Sequence, residues 1–380
     1  MRIRSLERTF IYHSPQYPGF TCWCGLWNMP DGSVMLSFTQ ATGPIVGRLR
    51  APQEVRRMLD WPPAGHSEAY DMTGLDLQNI HLRSADYGHT WQIESGDHFV
   101  SCMNGVTCEA ETSLPDGTIL RGLWGQYLPY NDVPHTGLLQ RSPDGSRTWS
   151  APEVIYKDES YLFWPKRIRV LKDGRVLIGG GLTPRSPDGR LRSSPLGMTQ
   201  VLFISDDQGR TWRGPIPLAP EAQRSELSGE EFDFAELDNG DLLVVSRAQM
   251  VHPRDSGDAG EQRWQTRLIK EGGAWRPTWV SPAPFPHSGH PELLKTREGP
   301  ILHLATSGVS WTADEGVTWA DLVLPDGLEE LGWKLPGTHY YPRAVQMYNG
   351  EVLCVGHVGG DNGYATIDQA IVGLRFSIEL

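Results

Sequence analysis

Several features are scarce in this 380-residue chain, and each scarcity excludes something. There is no long apolar run. The opening Met1-Arg-Ile-Arg-Ser-Leu-Glu-Arg-Thr-Phe-Ile-Tyr12 mixes charged and apolar residues, and nothing later approaches the ~20 apolar residues of a membrane helix. The chain therefore reads as cytoplasmic, with no signal peptide and no membrane partner. No basic cluster exists either. Thirty-four Lys and Arg stand against 46 Asp and Glu, a net charge of −12, so nucleic acid is not an expected partner. Cysteine is sparse and odd in number: Cys22, Cys24, Cys102, Cys108 and Cys354. That count suits reduced thiols. Cys22-Trp-Cys24 has no second cysteine pair to complete a soft site of about four ligands, so neither metal nor cofactor is expected. What is plentiful is turn chemistry: 42 Gly, 29 Pro and 14 Trp, a composition that fits a turn-rich β protein.

One pattern, Ser/Thr-x-Asp-x-Gly-x-Thr-Trp, occurs four times. The copies are Ser84 to Trp91, Ser142 to Trp149, Ser205 to Trp212 and Thr312 to Trp319; the second carries its glycine one place early, at Gly145. The Asp is suited to accept backbone N–H bonds and close a turn. Gly tolerates the left-handed backbone of a reversal. Thr and Trp open the next strand. A second element recurs six times, an apolar stretch, a tight turn and another apolar stretch. It runs Cys22 to Phe38, Cys108 to Leu123, Trp164 to Ile178, Phe232 to Ser246, Pro291 to Ala305 and Tyr341 to Val355. After the fourth, Arg267 to Trp275 is a degenerate copy of the first pattern that keeps Gly and Trp.

The four-fold pattern is the Asp-box, and on it the chain resembles the sialidase-like β-propellers. Six hairpins and this resemblance predict an all-β fold, a six-bladed β-propeller spanning residues 1–380 as one domain. The final strand, Ala370 to Ile378, and an N-terminal one around Thr9 to Tyr12 are expected to close the ring together. Long insertions, Ala41 to Asn79 and Thr183 to Met198, are expected at the mouth of a site. The boxes themselves are structural.

The resemblance places a site on the axis, where the inner strands begin. It implies a Tyr nucleophile with a Glu beside it, matched here by Tyr341 and Glu231, and an Arg closing the next strand, matched by Arg247. A carboxylate can take the phenol proton as the new bond forms. The rest departs from the family. Two of its three carboxylate-binding arginines are missing, with Cys22-Trp-Cys24 and Thr306 to Trp311 in their places, and its acid has no Asp in Ser37 to Gly43. A substrate other than sialic acid follows. The aligned strand starts also offer Lys166, Arg167, Arg343, Asp233, His339, Glu109 and His290, with His287 close by, and Trp23 and Trp164 as faces for a sugar to stack on. Lys166 and Arg167 are neighbours, so strand alternation sends at most one of them to the axis.

The expected partner is a small carbohydrate or oligosaccharide. The leading expectation is an exo-acting glycoside hydrolase on a uronic-acid-containing oligosaccharide. Glu231 and Tyr341 carry its chemistry, and an acid comes from an insertion, Asp71 or His66. The alternatives are a lyase acting at a uronic acid with His290, His339 or Tyr341 as base, and a carbohydrate-binding propeller without catalysis.

Overall fold

Each of the six apolar hairpins supplies the first two strands of its own antiparallel sheet in the computed structural model of the protein. The structure describes residues 1–16, 19–44, 46–50, 53, 73–99, 110–124, 137–185, 198–224, 227, 231–247, 263–285, 287, 290–305, 308–322, 341–358 and 370–380. Blade one is Gly19–Asn28, Val34–Thr42, Asp76–Ser84 and Gln92–Phe99. Blade two is Glu111–Ser113, Ile119–Trp124, Gly137–Ser142 and Glu153–Val154. Blade three is Tyr161–Val170, Val176–Pro184, Thr199–Ser205 and Arg213–Pro217. Blade four is Phe232–Glu236, Leu242–Arg247, Arg263–Glu271 and Ala274–Pro277, with Ser281–Pro282 added beside its third strand. Blade five is Glu292–Lys295, Ile301–Ala305, Gly308–Thr312 and Ala320–Asp321.

Blade six joins the two ends of the chain. Arg343–Gln346, Val352–Val358 and Ala370–Glu379 are completed on the outside by Arg2–His13, antiparallel to Ala370–Glu379 from Arg2 opposite Glu379 to His13 opposite Ala370. The fold is thus an all-β, six-bladed β-propeller. The N-terminal strand is longer than the expected Thr9 to Tyr12 and runs the full length of its partner, covering an edge otherwise open to pairing.

The first strands pack against one another around the axis. Apolar clusters fill the gaps between neighbouring blades. Leu120, Phe163 and Phe203 join blades two and three, Phe232 and Ile204 join three and four, and Leu294, Leu304 and Phe376 join five and six. A second strand such as Val34–Thr42 is covered on both faces and is buried along its whole length. Its polar residues Ser37, Thr39, Gln40 and Thr42 are buried along with its apolar ones.

The four repeated turns share one hydrogen-bond set. In the first, Ser84 Oγ donates to Asp86 at 2.8 Å and accepts from Gly88 N at 2.8 Å, while Thr90 donates its N–H at 2.9 Å and its hydroxyl at 2.6 Å to the two Asp86 oxygens. The second copy keeps this set although its glycine is displaced. The reason lies in the backbone: two consecutive residues are left-handed in every copy. They are Tyr87 and Gly88 (φ 59° and 79°) in the first and Gly145 and Ser146 (φ 75° and 77°) in the second, so glycine relieves one position and a non-glycine bears the other. In the degenerate turn, Trp275 Nε1 donates to the Gly240 carbonyl of the preceding hairpin turn at 3.0 Å.

These turns make the fold acid-sensitive. Hydrogen bonds from the Thr148 hydroxyl and N–H and from Ser142 hold the Asp144 carboxyl at about 2. Burial pushes Asp86 up, but the equivalent bonds from Thr90 and Ser84 outweigh it and bring that carboxyl to about 2 as well. Both values lie below the ~3.9 of an unfolded Asp, so this stability is complete above about pH 4 and lost as pH falls through about 2. Thermal melts should show a midpoint that is flat from pH 6 to 4 and falls steeply toward pH 2. Asp144→Asn should start lower at pH 7 and fall less on acidification; an acid slope equal to that of the parent counts against the turn as its source.

Candidate active site

Glu231 stands one residue before the first strand of blade four, pinned by Arg247 N donating to its carbonyl at 2.8 Å. Arg247 closes the second strand, and its Nη1 lies 2.7 Å from Glu231 Oε2. Tyr341 stands two residues before the first strand of blade six, and its hydroxyl donates to Glu231 Oε1 at 3.3 Å. Three side chains separated by up to 110 residues thus meet in one line. Arg263 lies across the sheet from Arg247 and is 1% exposed. Burial pushes the Glu231 carboxyl up, but the charges of Arg247 and Lys166, the hydrogen bond from Arg247 and the charge of Arg263 outweigh it and hold the group below the usual range. Glu231 is therefore an ionised acceptor at neutral pH.

Lys166 and Arg167 overturn the alternation rule. Both are buried, at 6% and 4% exposure, because a β-bulge falls between Pro165 and Arg167. The facing strand accommodates it with Gly179, Gly180 and Gly181. A Cβ on Gly180 would stand 2.0 Å from the Trp164 carbonyl oxygen, so no larger residue fits there without moving backbone. Lys166 then acts electrostatically on Glu231 and His290.

Below this layer lies an ionic plug. Arg167 Nε is 3.0 Å from Asp233 Oδ1, and its Nη2 is 2.7 Å from Glu292 Oε2. Arg169 also pairs with Asp233, which accepts Leu293 N at 2.7 Å and Phe234 N at 2.8 Å as well. Glu292 takes Ala344 N at 3.0 Å and Arg343 Nη1 at 3.5 Å. The expectation that Asp233 binds substrate is accordingly revised: it is 0% exposed and both its oxygens are filled from within the protein. Arg343, 2% exposed, is likewise turned inward, its Nη1 also 3.3 Å from His290 Nδ1 and 3.1 Å from the Pro342 carbonyl. Further along the first strands the plug residues Arg167, Arg169, Glu292 and Arg343 themselves line a cavity of about 230 Å³, together with Trp27 and Ser113.

His290 is buried 5.1 Å, centroid to centroid, from the Tyr341 ring. Burial first, then the charges of Arg343, Lys166, Arg167 and Arg247, hold it well below the usual histidine range, so it is neutral. His287 instead meets Asp321 on the outermost strand of blade five, at 3.0 Å. Trp164, 1% exposed, is a core residue and not a stacking face, and Trp23 is nearly as enclosed at 8%. Trp23 carries a φ of 57° at a bulge in its strand. Glu109, His339, Asp71 and His66 lie outside the described residues. The sequence reading missed Arg169 and His357, and left Glu292 without a role. The triple glycine at 179–181 was the available signal for the bulge, since three glycines in a strand mark close backbone approach.

No protein-family profile matches the chain, and no curated protein matches it. Solved structures do. A protein of unknown function from Dyadobacter fermentans is 19% identical with a TM-score of 0.61, matching 99% of each chain. A Penicillium chrysogenum alpha-L-arabinanase, solved with arabinobiose, is 14% identical with a TM-score of 0.57 over 96% of this chain and 97% of its own. A Fusarium graminearum alpha-L-arabinofuranosidase, solved with an iminosugar inhibitor, is 14% identical with a TM-score of 0.61 over 97% and 96%. At these identities the likeness is one of fold.

The bulge yields a direct test. Gly180→Ala should cost about 3 kcal/mol, because its new methyl meets a backbone carbonyl that cannot swing away. Urea denaturation measures it, and a midpoint equal to that of the parent contradicts the packing described.

Proposed function

We propose that this protein is a glycoside hydrolase that removes sugars from the end of an oligosaccharide at the axial site. The observation that carries the reading is the line Tyr341–Glu231–Arg247, with a phenol donating to a carboxylate that a guanidinium keeps ionised. In this reading Tyr341 Oη bonds to the anomeric carbon as the glycosidic C–O bond breaks. The phenol proton passes to Glu231. The leaving oxygen takes a proton from an acid, for which the sequence offers Asp71 or His66. Water then attacks the anomeric carbon and gives its proton to the conjugate base of that acid, while the sugar–tyrosine bond breaks and Glu231 returns the phenol proton to Tyr341.

The charge balance supports an acidic sugar as substrate. Among the described residues around these carboxylates, Lys166, Arg167, Arg169, Arg247, Arg263 and Arg343 stand against Glu231, Asp233 and Glu292, six cations to three carboxylates. Arg247 and Lys166 are the cations nearest Glu231, and a uronate carboxylate suits them. That the arabinanase and the arabinofuranosidase named above bind an arabinose disaccharide and an iminosugar is consistent with a carbohydrate ligand. A lyase with His290 as base is less well supported. Neutral imidazole has one lone pair, and Arg343 Nη1 occupies it at Nδ1.

Hydrolysis of 4-nitrophenyl glycosides, including the α-L-arabinofuranoside and the β-D-glucuronide, tests the proposal. Glu231→Gln and Tyr341→Phe should each lower kcat/KM roughly 10²- to 10⁴-fold while circular dichroism stays that of the parent. Retention of kcat/KM within a few-fold refutes the assignment, and an unsaturated product absorbing in the near-UV indicates a lyase instead. Glu231 must be ionised to act, and its folded value is depressed. The acid limb of the kcat/KM profile should therefore lie below the ~4.3 of an ordinary Glu.

A further inference from the structure

The Tyr341 ring touches two imidazoles, one from its own blade and one from the next. His357 stands directly across the blade-six sheet from Tyr341, two residues beyond the Arg343–Val355 pair. Its ring is 5.5 Å from the phenol, centroid to centroid, and only 19° from parallel. It is 0% exposed. His290 comes from the start of blade five, at 5.1 Å and 44°. Arginine is only a donor, so Arg343 Nη1 at 3.3 Å fixes His290 Nδ1 as the acceptor and Nε2 as the protonated nitrogen. Arg343 is held by Glu292, and Glu292 by Arg167 of the plug. A continuous series of contacts therefore runs from the buried ionic plug through Glu292, Arg343 and His290 to the phenol.

We propose that His357 and His290 are positioning residues for Tyr341, His357 by stacking on the phenol and His290 as a ring locked in one tautomer by Arg343. The inference rests on Tyr341 being the nucleophile. A Tyr side chain has two rotatable bonds, χ1 and χ2, and misalignment between Oη and the anomeric carbon costs rate. A misplacement of 1 Å costs about 10²-fold. Two flat imidazoles restrict that rotation and leave the hydroxyl aimed at Glu231. The charges acting on His290 are those of Arg343, Lys166, Arg167 and Arg247, all cationic, while Glu231 accepts from the phenol.

The test compares His357→Ala, His357→Phe, His290→Ala and Tyr341→Phe on whichever 4-nitrophenyl glycoside the parent cleaves. Stacking predicts that His357→Ala lowers kcat about 10²-fold with KM within threefold, and that His357→Phe, which restores a flat ring, recovers most of it. A purely structural histidine predicts no kcat-specific loss and no rescue by Phe. If Tyr341→Phe abolishes turnover while His357→Ala preserves it, the positioning role is overturned and the hydrolase reading stands. If Tyr341→Phe preserves turnover, the nucleophile assignment fails, and this inference with it. Should the parent cleave no probe, histidine ¹H–¹⁵N spectra decide. Tyr341→Leu should shift the ring signals of both His290 and His357, and His290 should show Nε2–H alone from pH 5 to 8. Unmoved signals, or an Nδ1–H tautomer, overturn the inference.

Discussion

No blade of this protein can bury its own faces. A four-stranded sheet has two, and the second strand, as in Val34–Thr42, is buried along its whole length. Burial at ~25 cal/mol per Å² is gained only when a neighbouring blade covers each face. The apolar clusters between adjacent blades supply that cover. This constraint forces a closed ring, and a closed ring requires the last blade to meet the first. Pairing of Arg2–His13 with Ala370–Glu379 ties the two ends of the chain into blade six, so closure is held by a full ladder of backbone hydrogen bonds.

Closure creates the axis, and the axis poses the opposite problem. Strand starts converge there, and several of their side chains are charged, among them Lys166, Arg167, Glu231, Asp233, Glu292 and Arg343. Burying an unpaired charge is prohibitive, whereas a buried pair needs good geometry and filled hydrogen bonds to break even. The plug meets both conditions: Asp233 receives two guanidiniums and two backbone amides, and Glu292 three guanidiniums and one amide. The bulge at Pro165 makes it possible by turning Lys166 and Arg167 inward together. Above the plug, Glu231 and Arg247 keep partial exposure, at 15% and 21% of their side chains. The axis thus carries two charged layers, and Arg169 of the plug, 28% exposed, reaches the cavity further along it.

Tyr341, Glu231 and Arg247 meet on the axis at hydrogen-bond distance. Arg343 and Asp233, which the strand alignment placed beside them, belong to the buried plug. Two histidines, His290 and His357, flank the tyrosine ring.

The sequence alone determined the number of blades, the positions of their turns and the place of Glu231 and Tyr341 at strand starts. All of these are local. A turn such as Ser84 to Trp91 contains its own donors and acceptors within eight residues, and a strand start can be counted back from its turn. Tertiary structure decided which side chains face one another. Strand alternation predicted that one of Lys166 and Arg167 would point inward, and a bulge, made possible by glycines on the facing strand, sent both. Asp233 looked like a ligand-binding acid until Arg167 and Arg169, more than sixty residues away, closed over it. His357 lies sixteen residues after Tyr341 in a strand of apolar residues, and only the pairing across the sheet reveals that the two rings stack. Such contacts depend on register and on the approach of separate blades, and no short window of sequence contains either.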